Sequence, residues 1–128
     1  MRFVLVLILF LFYNTQSKAQ FRPKQINWTA DGNGYLRVMD GNLVRFDLPG
    51  NAQTVVIKKE NLTPPGSDSP LDFKIFSFSS DQKRLLLFTN TERVWRYNTR
   101  GDYYVLDIAT GSLHKLGKDL PAQSLMFT

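Results

Sequence analysis

Between residues 26 and 117 the chain spells the same pattern twice: four short strand-like segments joined by tight turns. In the first unit Ile26-Asn27-Trp28 leads into the turn Asp31-Gly32-Asn33-Gly34, and Tyr35 to Met39 then alternates with period two up to Asp40-Gly41. Asp-Gly is a strong short-range hairpin signal, because both residues tolerate positive φ. Leu43 to Leu48, closed by Pro49-Gly50, and Ala52 to Ile57 complete the unit. In the second unit the strands are Lys74 to Ser79, Arg84 to Thr89, Asp102 to Ile108 and Leu113 to Leu116. Asn27 to Gly32 aligns with Ser77 to Gln82 at an offset of fifty, and Leu43 to Leu48 aligns with Tyr103 to Ile108 at an offset of sixty. Repeats of this length with four strands each predict an all-β fold of four-stranded antiparallel β-propeller blades, here about two of them. The expected boundaries are a first blade over 20–60, a linker over 61–72, a second blade over 73–117 and the start of a next blade over 118–128. The linker holds Pro64, Pro65 and Pro70 and cannot continue a central strand, since proline has no N–H for the ladder. Arg84 to Thr89 is apolar almost throughout, which predicts burial on both faces.

Residues 1–19 stand apart from this pattern. Arg2 gives a basic start, Phe3 to Tyr13 is an unbroken run of eleven apolar or aromatic residues, and Ser17-Lys18-Ala19 places small residues before Gln20. That is the layout of a cleavable signal peptide, and it predicts export to the periplasm or the exterior. Eleven helical residues cover roughly 16 Å, about half of a ~30 Å hydrocarbon core, so a permanent N-terminal membrane anchor is the weaker alternative. The whole chain carries a formal charge of +5; without Arg2 and Lys18 the remainder carries +3. The positive charges are scattered, with no clustered basic face of the kind nucleic acid requires. With no cysteine and one histidine, neither a disulfide framework, a thiolate metal site nor a cofactor is expected. The chain stops inside an apolar run, Ser124 to Thr128, which reads as a domain cut short.

The second unit spends eleven residues, Asn90 to Arg100, where a blade needs only a tight turn. The surplus contains Trp95, Arg96, Tyr97 and Arg100, and long loops on rigid β scaffolds are where binding residues tend to sit. Arginine offers a planar fork of donors suited to carbonyl and carboxylate oxygens, and flanking aromatics can stack on it. By residue type alone a plainer reading is favoured, in which Trp95 fills a gap between blades and Arg96 pairs with Glu92.

The segment Val94-Trp95-Arg96-Tyr97-Asn98-Thr99-Arg100-Gly101-Asp102-Tyr103, following Leu85-Leu86-Leu87-Phe88, resembles the early propeller loop of the dipeptidyl peptidase IV-like serine peptidases. The resemblance spans about 73–127 and includes Ser79-Ser80-Asp81, where the family has an SPDG turn, and Ala122 to Phe127, the lead into a next blade. It implies that Arg96 lies in a substrate cavity and bonds a backbone carbonyl near the free N-terminus of a peptide, with Trp95 packed beside it. It also implies a serine exopeptidase releasing N-terminal dipeptides, a C-terminal α/β-hydrolase domain carrying the Ser-His-Asp triad, and homodimers in some relatives. No G-x-S-x-G occurs in these 128 residues, so no catalytic residue is expected here and the chain alone is expected to lack peptidase activity. His114 falls in the last strand of a blade and reads as a surface residue.

The rival from a different class is a stand-alone exported binding module, since propellers host many unrelated functions. Arg100-Gly101-Asp102 spells an adhesion tripeptide, but Gly101 is explained as the turn back into the third strand. Asn27-Trp28-Thr29 and Asn61-Leu62-Thr63 match glycosylation acceptors. Blades bury their faces against neighbours, so a two-blade chain is expected to leave Leu85, Leu87, Phe76 and Phe78 facing water on one side and to associate through open edges.

Overall fold

A computed structural model describes residues 26–94 and 96–126. The strands of the described residues form two antiparallel sheets. The first is a meander of β1 (Asn27–Trp28), β2 (Gly34–Met39), β3 (Asn42–Asp47) and β4 (Ala52–Ile57). The second runs β5 (Phe73–Phe78), β6 (Arg84–Val94), β7 (Tyr97–Asp107) and β8 (Leu113–Lys115), with β9 (Leu125–Met126) added to the edge of β7. Each sheet has the up-down order of a propeller blade, as the repeat predicts. Leu125–Met126, read in the sequence as the lead into another blade, here pairs with Arg100 and Gly101 of β7. The segment read as a signal peptide lies outside the described residues. Among the described residues no helix is long and apolar enough to cross a membrane.

The repeat is visible in individual hydrogen bonds. Thr29 Oγ1 donates to Asp31 Oδ1 (2.5 Å), and Ser79 Oγ does the same to Asp81 Oδ1 (2.6 Å). The N–H of Asn33 reaches Asp31 Oδ1 at 3.0 Å and that of Lys83 reaches Asp81 Oδ1 at 3.1 Å. Thr29 N–H closes on Gly34 O (3.0 Å), and Ser79 N–H closes on Arg84 O (2.9 Å). Every one of these positions is shifted by fifty. Short polar side chains capture the backbone locally at both turns, which is why the strand pairs β1–β2 and β5–β6 start at equivalent places. These bonds hold both carboxyls below the usual carboxylate range: the Thr29 hydroxyl and then Arg45 act on Asp31, and the Ser79 hydroxyl and the Lys83 N–H act on Asp81.

The two turns meet one backbone demand with different residues. Gly32 adopts φ +69, whereas its counterpart is Gln82 at φ +58. A side chain in the left-handed region costs about 1–2 kcal/mol, partly offset because glycine has more freedom to lose on folding. Gln82→Gly also removes the 3.2 Å bond from Gln82 Nε2 to Ser79 O, an exposed contact of small worth. The substitution is expected to stabilise the chain by about 0.5–1 kcal/mol. A urea midpoint that falls instead of rising, at unchanged slope, would refute this.

The core lies between the two sheets. Leu36, Leu43 and Ile57 of the first blade meet Leu85, Leu87 and Leu106 of the second in one buried cluster. The expectation that Leu85 and Leu87 face water in a two-blade chain is therefore wrong: both are 0% exposed, because the first blade covers that face. Phe76 and Phe78 are half-buried at the margin of the same cluster. Burying a leucine contributes roughly 1.5–3 kcal/mol, so this interface accounts for much of the drive to fold. The linker shares in it. A 3₁₀ helix at Lys59–Leu62 turns Leu62 into the core at 0% exposure, and Leu71 N–H returns to Leu62 O (2.9 Å) across the prolines. Free edges do remain: Ala52 to Val56 of β4 is exposed along its length.

Candidate functional site: the arm of the second blade

Asn90 to Arg100, read from the sequence as an eleven-residue loop, is mostly a two-stranded arm. β6 and β7 go on pairing beyond the blade, with Glu92 opposite Arg100, Arg93 opposite Asn98 and Val94 opposite Tyr97. The sequence has the composition for it: Thr91, Val94, Tyr97 and Thr99 are strand formers, interleaved with charged and polar residues that suit a hairpin with two wet faces. Two irregularities shape its exit. Asn90 and Thr91 together face Gly101 alone, and Thr99 is an extra residue between Asn98 and Arg100. Bulges of this kind bend and twist a hairpin and re-aim what it carries.

The Val94–Tyr97 pairing leaves Arg96 in the turn at the tip, where it is exposed. Trp95, the other residue singled out in the sequence, lies outside the described residues. Arg96 does not make the ion pair with Glu92 that the plainer reading requires; none of the ion pairs among the described residues involves either residue. Glu92 stands opposite Arg100 instead. Glu92, Arg93, Arg96 and Arg100 are all exposed, so the arm presents three guanidinium groups and one carboxylate to solvent.

The base of the arm is built differently. Asp102 is 8% exposed and its carboxylate meets three donors: Asn90 Nδ2 at 2.9 Å, Gln123 N–H at 3.1 Å and Lys115 Nζ at 3.2 Å. Burial on its own would raise this carboxyl, but the bonds from Asn90, Gln123 and Lys115 outweigh it and hold the group below the usual range. Gln123 Nε2 also donates to the backbone oxygen of Asn90 (3.1 Å), closing a ring of three residues through both side-chain and backbone groups. Next to it Phe88 stacks on Tyr103 with centroids 4.6 Å apart, and burial pushes the Tyr103 phenol up. A groove of about 520 Å³ opens beside this base, lined by Ile75 and Phe88 as well as by Asp72, Lys74, Thr89, Asn90 and Thr91.

Sequence reasoning missed Asp102, Asn90, Lys115 and Gln123. The one available signal was a glycine followed by an aspartate, and the sequence reading took Gly101 as the turn back into the third strand and Asp102 as that strand's first residue. Arg100-Gly101-Asp102 runs along β7 with its aspartate engaged inside the fold, and Gly101 is strand paired with Leu125 of β9, not a turn. His114 sits exposed on β8 with its Nε2 2.8 Å from Ser112 Oγ. No group of three or more metal-ligating side chains occurs among the described residues.

Two propeller-type blades with a basic hairpin arm between the middle strands of the second define the chain as part of a β-propeller. Residues 79–127 match the family model of the dipeptidyl peptidase IV (DPP IV) N-terminal region. Dipeptidyl aminopeptidase B of Saccharomyces cerevisiae is 26% identical over 110 residues, covering 78% of this chain and 13% of that protein. A Schizosaccharomyces pombe protein described as a dipeptidyl aminopeptidase is 29% identical over 105 residues, again 78% of this chain and 13% of the relative. A probable dipeptidyl-aminopeptidase B of Aspergillus clavatus is 32% identical over 94 residues, 69% of this chain and 9% of its own length. The chain thus carries a dipeptidyl peptidase IV-like N-terminal region, and it spans about a tenth of the length of the relatives it matches.

Proposed function

We propose that this chain supplies the first blades of the propeller of an exported dipeptidyl aminopeptidase, with Arg96 engaging the N-terminal end of the peptide to be cut. The observation that carries this reading is an exposed arginine at the tip of a hairpin that projects from the blade between its two middle strands. A guanidinium needs no proton adjustment at any working pH and can give two parallel N–H bonds to a carbonyl or carboxylate. On a stiff arm it meets the substrate with little ordering cost, which is how preorganisation raises affinity. Trp95 belongs to this proposal as the packing support of Arg96. Export through a cleavable N-terminal segment belongs to it as well, as does a hydrolase domain that performs the cleavage.

Reading the genomic locus beyond the codon of Thr128 tests it. A continuous frame that reaches a G-x-S-x-G motif within a hydrolase-sized segment is the expected result. A stop codon confirmed on the transcript would overturn the peptidase reading and favour a small exported binding module.

A further inference from the structure

The site just described has a bearing and a tip, and the bearing is assigned to nothing so far. We propose that Asp102 is the positioning residue of the arm: its buried carboxylate, gripped by Asn90, Gln123 and Lys115, fixes how the hairpin carrying Arg96 leaves the blade. The proposal rests on the reading of Arg96 as the peptide-binding group.

Thr89 and Asp102 form the last regular pair of the blade portion of β6 and β7; the next pair is Glu92 and Arg100. Asp102 therefore stands at the junction of blade and arm. Its three donors come from three separate pieces of chain. Asn90 opens the arm, Lys115 is the end of β8, and Gln123 belongs to the connector that follows the blade. Oδ2 accepts from Asn90, while Oδ1 accepts from both Gln123 and Lys115. Beyond Gln123 the connector lies along the arm as β9, pairing Leu125 with Gly101 and Met126 with Arg100. It straps the arm on the side away from β6.

Two of the donors sit in strained backbone. Asn90 has φ +48 and Gln123 has φ +60. Non-glycine residues stay in that region only where their surroundings over-determine them, and here each gives a bond to the same carboxylate. A sheet does not need any of this for its own sake. The pairs from Arg84–Asp107 to Phe88–Tyr103 are regular, and the leucine core holds them without a buried charge. A buried carboxylate with three donors is directional, and its loss leaves donors unsatisfied at one place only.

Asp102→Asn in the full 128-residue chain is the test, because it keeps the shape but turns one acceptor into a donor facing its former partners. The readout is residue-resolved amide hydrogen exchange. Amides of residues 92–100 are expected to exchange at least tenfold faster, while Leu85–Leu87 and Val105–Leu106 keep their protection. Unchanged arm protection would overturn the proposal. If the substitution loosens the whole sheet, Asn90→Gly decides instead: glycine accepts φ +48, and the change removes the 2.9 Å bond to Asp102 and the longer 3.4 Å bond accepted from Gln123 Nε2, both within the same bearing. Selective loosening of the arm is then expected, and no change would again overturn the role. Binding of the free-amine tripeptide Ala-Pro-Ala, followed by chemical shifts, separates this from the reading of Arg96. Arg96→Ala should abolish that binding with arm protection intact, and Asp102→Asn should weaken it at least threefold along with the loss of protection. A wild-type chain that does not bind the tripeptide defeats the Arg96 reading, while the exchange data still decide the role of Asp102 in holding the arm.

Discussion

Gly101→Ala is expected to be among the most damaging single-methyl changes in the chain. A Cβ placed there would lie 2.5 Å from Phe88 Cε2 and 2.7 Å from the backbone oxygen of Thr89. Neither neighbour has room to retreat. Thr89 belongs to the β6–β7 ladder, and the Phe88 ring is stacked on Tyr103, so the ring cannot swing without unstacking a buried pair. Overpacking of a close-packed site costs typically 1–3 kcal/mol and more where backbone must move, so about 3 kcal/mol is expected. For a domain of this size that lowers Tm by roughly 10–20 °C. Gly50→Ala is the control, because nothing lies within 4 Å of its added Cβ and its φ is not positive; a change within about 0.5 kcal/mol is expected there. Equal melting temperatures for the two variants would mean that Gly101 is not held by the Phe88–Tyr103 stack. The same clash bears on the arm, since Gly101 sits opposite the Asn90–Thr91 bulge that aims it.

How much of this was legible in the chain depends on the range of the interaction concerned. The strands of the first blade were readable to within a residue, because each is short and they are separated by Asp-Gly, Pro-Gly or Asn-Gly turns. The repeat was readable because Thr29-Asp31 and Ser79-Asp81 make the same local bonds, and local bonds leave residue-type signatures. The arm was missed because the bulges at Asn90–Thr91 and Thr99 break the period-two pattern that marks a strand. Asp102 was missed for a different reason. Its donors are 12, 13 and 21 residues away, and nothing in a single sequence says that Asn90, Lys115 and Gln123 converge. Leu85 and Leu87 were judged by counting blades, whereas one neighbouring face is enough to seal them.

In the complete enzyme that this reading anticipates, Arg96→Ala is expected to lower kcat/KM for release of an N-terminal dipeptide by about a hundredfold. That ratio corresponds to about 2.7 kcal/mol, within the range for a hydrogen bond from a charged donor to a substrate oxygen in a partly water-excluded site. An interaction made equally in the bound substrate and the transition state appears in KM with kcat nearly unchanged. A fall in kcat at constant KM would instead place Arg96 against charge that develops during the reaction. Arg96→Lys should recover only part of the loss, because an ammonium keeps the charge but cannot give two parallel bonds from one plane. The fold supplies the discriminating control. Arg96 is exposed in a hairpin turn, outside every ion pair among the described residues, so neither substitution should move Tm by more than the equivalent of about 0.5 kcal/mol. If Arg96 were a packing residue the signature would be reversed, with a clear drop in Tm and a kcat/KM within threefold of wild type. The two readings thus predict opposite outcomes for the same pair of measurements on one variant, and the exposed tip, where Arg96 joins none of the ion pairs among the described residues, is what makes the binding reading worth that test.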